Sequence, residues 1–397
     1  MKVSTLLVAA ACSLFFVSCS NDPYKNVDPE IAAKAQANIA TATPERAEAL
    51  TQVLKDIKPE YREGMAYLYA YMPKHDIDTL STALIKENIE YAYKAYEKFP
   101  WVKDLPKEIF YNEVLPYVCV DETRDSWRPM FMEMFGPMAA ASGDMAAAID
   151  TVNKSIKEAV DVVYNVKRKK PNQSPSESME IHMASCTGLS ILLIDAFRSV
   201  GIPARFAGTP MWVSREGNHN WVEVWLDGEW YVTEYSPEKL NYAWFMPRAG
   251  KADKNDKATW IYASSYAPTG MRYPMVWNRR DTTVHGMDVT DRYIALYKSQ
   301  QAEEGKGTPV AIRMFKKEGG EQSSADRIAC EVKLINLNND VVGTGVTAGP
   351  TKDMNDYLVI YSPVNGIFEV EYPAADGSLK RKRVNVEGPT DVIVFAE

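Results

Sequence analysis

From Pro29 to about Phe99 apolar side chains recur every three or four residues, the period of helices with one buried face. Asp28-Pro29 and Thr43-Pro44 each place a capping side chain before a proline at the first helical position, so helices are predicted to open there. Asp78 is read as the cap of a helix over 79–99, whose apolar face carries Leu80, Leu84, Ile89, Tyr91, Ala92 and Ala95. Further helices are predicted over 107–115 and 145–163, and the tyrosines and Trp101 of this region read as packing. Residues 168–178, basic and then rich in Ser, Asn and Pro, read as a solvated loop.

The period changes beyond residue 185. One apolar helix runs from Cys186 to Val200, Gly201 ends it, and Pro203 opens a β-rich stretch. Segments 221–226 and 229–235 flank Asp227-Gly228, a two-residue hairpin signal. His219 then stands at the start of one strand and Glu234 near the end of its antiparallel partner, at the same end of the hairpin. Residues 299–308 read as a linker. After them, alternating segments at 310–315, 328–334, 357–361, 366–372, 380–386 and 392–396 predict a small antiparallel β-sandwich. No internal repeat or low-complexity tract interrupts this order.

The first residues predict a compartment. Met1-Lys2 gives a basic start, Leu6 to Val17 an apolar stretch, and Ser18 a small residue before Cys19: a secretory signal, too short for a spanning helix. Phe16-Val17-Ser18-Cys19 resembles a bacterial lipoprotein box, with Phe16 in place of the usual aliphatic residue. The resemblance implies lipidation of Cys19 and export to the cell envelope, on the outer membrane, facing the periplasm or the surface. A formal net charge of −8 argues against nucleic acid as a partner and against electrostatic membrane binding. With Cys12 and Cys19 assigned to the leader, Cys119, Cys186 and Cys330 remain, an odd and widely spaced set that does not read as a disulfide framework. No CxxC pair exists, which speaks against a structural zinc site. The expected division is a signal over 1–18, a tether over 19–28, a helical region over 29–165, a core over 166–298 and the sandwich over 308–397. The fold class is α+β.

Cys186 carries the chemistry. A helix N-terminus offers unpaired N–H groups and partial positive charge, which favour an anionic sulfur, and the N–H of Cys186 points where an oxyanion would form. His219 can hold the thiol proton and return it to a leaving amine; Glu234 can fix the ring through its other nitrogen. Singly, each has an ordinary explanation: a buried thiol, a solvent-facing ring, a carboxylate on an exposed strand face. Their order, helix cysteine then strand histidine then hairpin carboxylate, is what joins them. His182 invites a metal or alternative-base reading, but no second ligand has the required spacing. His75 and His285 have no partner legible in the sequence, and Cys119 and Cys330 read as inert core thiols.

Three stretches carry a resemblance: Arg198-Ser199-Val200-Gly201-Ile202-Pro203-Ala204-Arg205, His219-Asn220-Trp221-Val222-Glu223-Val224 and Gly228-Glu229-Trp230-Tyr231-Val232-Thr233-Glu234. Together with Cys186 they resemble the transglutaminase-like superfamily, which implies a papain-like core with a Cys-His-Asp triad. Glu113-Val114-Leu115-Pro116-Tyr117 with Trp127-Arg128 resembles the region upstream of that core in lipoproteins of Bacteroidota, so the resemblance spans about 110–295. By carry-over Cys186 matches the nucleophile and His219 the base. The third position departs, with Glu234 where the family has Asp, and Glu238 is the fallback. Trp127 is expected to line the acyl pocket or donate to an oxyanion, as an upstream Trp does in some relatives. Trp212, Asn218 and Trp221 flank the histidine and are candidates to wall the cleft, with core packing the alternative reading for Trp127 and the favoured one for Trp221.

The expected function is thiol acyl transfer on a peptide or glutamine-type amide through a Cys186 acyl-enzyme. The resemblance favours hydrolysis, as a peptidase or amidase, over cross-linking. Peptide or protein substrates, cell-wall peptide included, are the expected partners, alongside the membrane through Cys19. No metal or organic cofactor is expected. The rival reading is an inactive binding or scaffold lipoprotein of the same fold, associated with glycans through its sandwich.

Overall fold

The structure is a computed structural model that describes residues 22–235, 239–276, 280–304 and 307–397. The signal segment, Cys19 and Glu238 lie outside the described residues. Among the described residues no helix is long and apolar enough to cross a membrane.

The N-terminal helices open where the sequence places them. The Asp28 carboxylate accepts from the N–H groups of Glu30 and Ile31 at the head of Pro29–Ile39, and Thr43 caps Pro44–Asp56. The third helix differs from expectation. Asp78 lies inside a short helix, Lys74–Thr79, and Thr82–Lys98 begins after Ser81. The interruption has a partner: Arg46 reaches across to donate to the carbonyls of Ile77 and Leu80, so the freed backbone groups are satisfied. The helix predicted over 107–115 shortens to Lys107–Ile109 and widens into a five-residue π-turn, Phe110–Val114. Helix Trp127–Ala141, which contains Pro137, was not predicted. Within the loop expected over 168–178 the chain forms helix Pro175–Ile181, opened by a capping box between Ser174 and Glu177.

Thr82–Lys98, Trp127–Ala141, Met145–Val160 and Pro175–Ile181 pack around one long-buried element, Cys186–Ser199, in which every residue from Thr187 onward is buried. An antiparallel five-stranded sheet lies against it, in the order Glu229–Thr233, His219–Leu226, Ala204–Thr209, Tyr262–Ser265, His285–Asp288. Asp227 and Gly228 both take positive φ, 50° and 89°, as a tight hairpin requires. The register pairs Thr209 with His219 and Val222 with Thr233, which sets His219 and Glu234 at one end of the sheet. At that end the backbones approach closely: a Cβ on Gly208 would come within 2.4 Å of the His219 carbonyl oxygen.

A buried ionic knot ties the sheet to its surroundings. The Arg205 guanidinium lies 2.8 Å from the Glu223 carboxylate and stacks 3.7 Å over the Trp230 ring. Glu223 also accepts from Arg292 and from the Tyr293 hydroxyl, at 2.6 Å for the latter. Glu113 stands 4.0 Å from both Arg198 and Arg205, and burial, partly offset by those arginines, raises its pKa to about 7.

The C-terminal strands form two facing sheets around Val310, Ile312, Leu334, Phe368, Val370 and Val394. One sheet is antiparallel in the order Val341–Val346, Glu331–Asn336, Gly366–Pro373, Leu379–Val386. The other holds Leu358–Ser362, Thr308–Phe315 and Thr390–Phe395. The expected all-antiparallel sandwich is corrected in one place: the last strand crosses to the second sheet and pairs in parallel with Thr308–Phe315. The expected linker over 299–308 is corrected too, because helix Thr290–Glu304 occupies its first part.

Arg205→Ala strips Glu223 of one of its buried cations and should cost on the order of 3 kcal/mol of unfolding free energy, read in urea titrations. A loss below about 1 kcal/mol would show that Arg292 and Tyr293 hold Glu223 unaided.

Candidate active site

Ser185 caps the central helix by accepting from the Gly188 N–H at 3.1 Å, which leaves Cys186 as the first helical residue. The His219 strand is tied to this first turn. Asn220 donates to the Thr187 hydroxyl at 2.9 Å and accepts from the Tyr273 hydroxyl at 2.9 Å. Thiol and imidazole are therefore held by neighbouring residues on two rigid elements, as a precise site requires.

His219 is buried, with 3% of its side chain exposed, among Trp244 at 4.9 Å, Phe245 at 5.1 Å and Trp221 at 5.8 Å between ring centroids. Two carboxylates flank it. Glu234 Oε2 is 3.7 Å from Nε2, and Asp353 Oδ2 is 3.9 Å from Nδ1. Neither ring nitrogen has a hydrogen-bond partner among the described residues. Cys186 Sγ, a ring nitrogen of His219 and a carboxylate oxygen of Asp353 lie within 4.8 Å of one another. Burial opposes charge on the ring, but Asp353, Cys186 and Glu234 outweigh it and raise its pKa to about 10.

The thiol opens into a cleft of about 70 Å³, lined by Tyr164, Leu189, Tyr235 and Trp244 and by the charged groups Lys157, Glu234, Lys352, Asp353 and Asp356. The three donors Cys186, His219 and Asp353 are types that a soft divalent cation accepts. The same set is also a thiol–imidazole pair with a carboxylate beside it, which is the reading its place at a helix start favours.

Of the residues singled out in the sequence, the structure brings Cys186, His219 and Glu234 together and leaves the expected pocket residues off the cleft wall. Trp127 is buried in its helix, and its indole N–H is committed to the Tyr117 carbonyl at 3.1 Å. It is not available to an oxyanion. Trp212 and Trp221 stack on one another behind the imidazole, and the Trp221 N–H donates to Tyr293 at 2.6 Å. Asn218 turns its carbonyl to Asn355. Their place is taken by Trp244, Tyr164 and Asp353. Asn220, adjacent to the histidine, was legible as a polar strand residue; Asp353 carries no local signal.

A buried thiol–imidazole cleft, set at a helix start against an antiparallel sheet, is the architecture of papain-like thiol enzymes. Residues 136–235, which contain all three converging side chains, match the model of the transglutaminase-like superfamily, and that segment forms a transglutaminase-like core. No curated protein matches the chain. Among solved structures, a proposed cysteine protease from Cytophaga hutchinsonii is similar at 16% identity, over 35% of this chain and 45% of that one, with a TM-score of 0.27. The chain thus spans less than half the length of that protein. At this coarse level the family match and the site support a thiol-dependent enzyme.

The charged ring has a consequence for stability. His219 keeps its proton up to about pH 10 in the folded chain but loses it near 6.5 once unfolded. Its raised pKa therefore stabilises the fold fully below about pH 6.5, and this contribution is lost as the pH rises through 10. Wild type should lose more unfolding free energy between pH 7 and 10 than His219→Gln does, measured by urea titration at a series of pH values. Parallel curves for the two proteins would refute the charged assignment.

Proposed function

We propose that this chain is a cell-envelope thiol acyl-transfer enzyme that hydrolyses peptide or amide bonds, with Cys186 as nucleophile, His219 as acid and base, and Glu234 as the group that orients the ring. The observation that carries the reading is the meeting of Cys186 and His219 within 4.8 Å at the cleft, with Glu234 at the ring's other side. Asp353, not Glu234, shares the sulfur's neighbourhood, so Glu234 is the carboxylate opposite the reacting pair. The Glu in place of Asp is accommodated, because its extra methylene brings Oε2 to 3.7 Å of Nε2.

The reaction runs in two halves. His219 already holds the proton, so the Cys186 sulfur attacks as the thiolate of the ion pair and bonds to the amide carbonyl carbon. The carbonyl oxygen takes up the electron pair and is met by the Cys186 N–H, which as the first in its helix has no intrahelical acceptor. The oxyanion collapses, the C–N bond breaks, and the imidazolium gives its proton to the departing amine. Water, giving a proton to the neutral ring, attacks the thioester, and the acid leaves as the C–S bond breaks and the sulfur returns to thiolate beside the imidazolium. An amine in place of water would give transamidation. The envelope location rests on the leader and the box around Cys19.

Iodoacetamide at pH 6 should modify Cys186 much faster than Cys119, which is buried, or Cys330; equal slow labelling of all three would leave only a binding scaffold. Peptide-library digestion should be abolished by Cys186→Ala and slowed on the order of 10²-fold by Glu234→Gln. Unchanged kcat/KM in the Glu234 variant would remove it from the site.

A further inference from the structure

Asp353 belongs to the C-terminal sandwich, in the segment between strands Val341–Val346 and Leu358–Ser362 that crosses from one sheet to the other. The segment is built rather than loose. Arg327, 2% exposed, donates to the backbone carbonyls of Asp353 and Asp356, and the Asp356 N–H closes a turn onto Asp353 O at 2.9 Å. Asn355 reaches the core by donating to the Asn218 carbonyl at 3.2 Å. Within this frame the Asp353 carboxylate is aimed. Its Oδ1 accepts from the Asn355 N–H at 2.8 Å, while Oδ2, buried and without a hydrogen-bond partner, faces the imidazole and the sulfur.

Charge in the cleft is unbalanced in the reactive form. Glu234, Asp353 and Asp356 face it against Lys157, Lys352 and the His219 ring. Lys352 is 4.0 Å from Asp356. A thiolate at Cys186 adds a further negative charge, and among the described residues the ion pair at Asp353 Oδ2 is with the imidazole, Arg327 being engaged at the Asp353 backbone carbonyl. A bound ligand is a further source of positive charge.

We infer that Asp353 is a specificity-determining residue, whose free carboxylate oxygen binds a primary ammonium group on the carbon next to the scissile carbonyl. The cleft then selects peptides with a free N-terminal amine and acylates Cys186 with their first residue. The distances fit. The reacting carbonyl carbon stands about 3–3.5 Å from the sulfur, an α-nitrogen lies about 2.5 Å from that carbon, and a charge-assisted hydrogen bond spans about 2.8 Å. An oxygen within 4.8 Å of the sulfur is therefore in reach of the α-ammonium of the acyl residue. An acetylated N-terminus presents a neutral amide with an added acyl group and leaves the carboxylate buried and unpaired, at the usual cost of such a group. The inference rests on the thiol acyl-transfer reading for its turnover, but the binding it describes does not need turnover.

Two measurements test it on the full-length protein. In the first, Cys186→Ala is dialysed against an equimolar tripeptide-amide library and against the same library N-acetylated, with bound peptide counted by mass spectrometry. Free-amine peptides should be retained on the order of tenfold better, the effect of about one charge-assisted hydrogen bond. Cys186→Ala/Asp353→Asn should retain both libraries alike; Asn keeps the oxygen that accepts from Asn355, so the turn survives. Equal retention by Cys186→Ala itself, or none, overturns the inference. In the second, wild type should cleave the free-amine library at least about tenfold faster, and Asp353→Asn should level the two rates. A variant that speeds both libraries equally would make Asp353 an obstruction to the thiol and overturn the inference. Selective binding by Cys186→Ala without turnover by wild type would sink the hydrolase reading and leave the ammonium subsite standing.

Discussion

Sealing an imidazole inside a protein requires that its charge be answered locally, because water can no longer do so. His219 is sealed by four aromatic rings on one side and flanked by carboxylates on the other. The carboxylates come from separate parts of the chain, Glu234 from the hairpin that carries the histidine and Asp353 from the sandwich. The rest of the architecture can be read as what puts those two groups there. Hairpin register fixes the first; docking of the sandwich through Tyr357, Trp244 and Arg248 fixes the second.

The strongest sequence features turn out to serve the frame more than the chemistry. Arg205, the last residue of the Gly-Ile-Pro-Ala-Arg run, is the buried partner of Glu223 in the histidine strand. Arg128 is spent on the carbonyls of Val114, Pro116 and Arg198, and its pKa falls to about 9 through burial and the neighbouring Arg198. These residues are specific because a buried guanidinium tolerates only one arrangement of acceptors. They hold helix and sheet at the spacing that lets Asn220 tie the histidine strand to Thr187, one residue beyond the thiol.

How much of this was legible in the sequence follows the range of each interaction. The hairpin and the end-to-end placement of His219 and Glu234 depend on a two-residue turn, and a turn is local. The helix over 127–141 was missed because Pro137 breaks its pattern, and the strand over 341–346 because Gly343 and Gly345 dilute its alternation. The linker over 299–308 was read from polar composition, yet Gln, Ala and Glu are good helix formers, and the helix runs on to Glu304. Trp127 shows the opposite error. A side chain with both a large apolar face and one donor suits a pocket as well as a core, and only its bond to Tyr117 decides. Asp353 lay beyond any local reading, since its importance comes entirely from which domain packs on which.

That packing changes what the sandwich can be. A domain that merely supported the core would touch it at a distance from the thiol, and its removal would cost stability alone. Here the connection between its two sheets places an aimed carboxylate against the ring, clamped from behind by a buried arginine that bonds only to backbone. Backbone clamping by Arg327 is joined by two side-chain ties, Asn355 to the Asn218 carbonyl and Asp353 Oδ1 to the Asn355 N–H, so the loop is held at both ends of its turn. On the proposed reading, such a loop offers a means of changing substrate preference that leaves Cys186, His219 and Glu234 untouched. In that reading the buried arginines and the hairpin hold the reacting groups, while a short segment of the sandwich sets what reaches them.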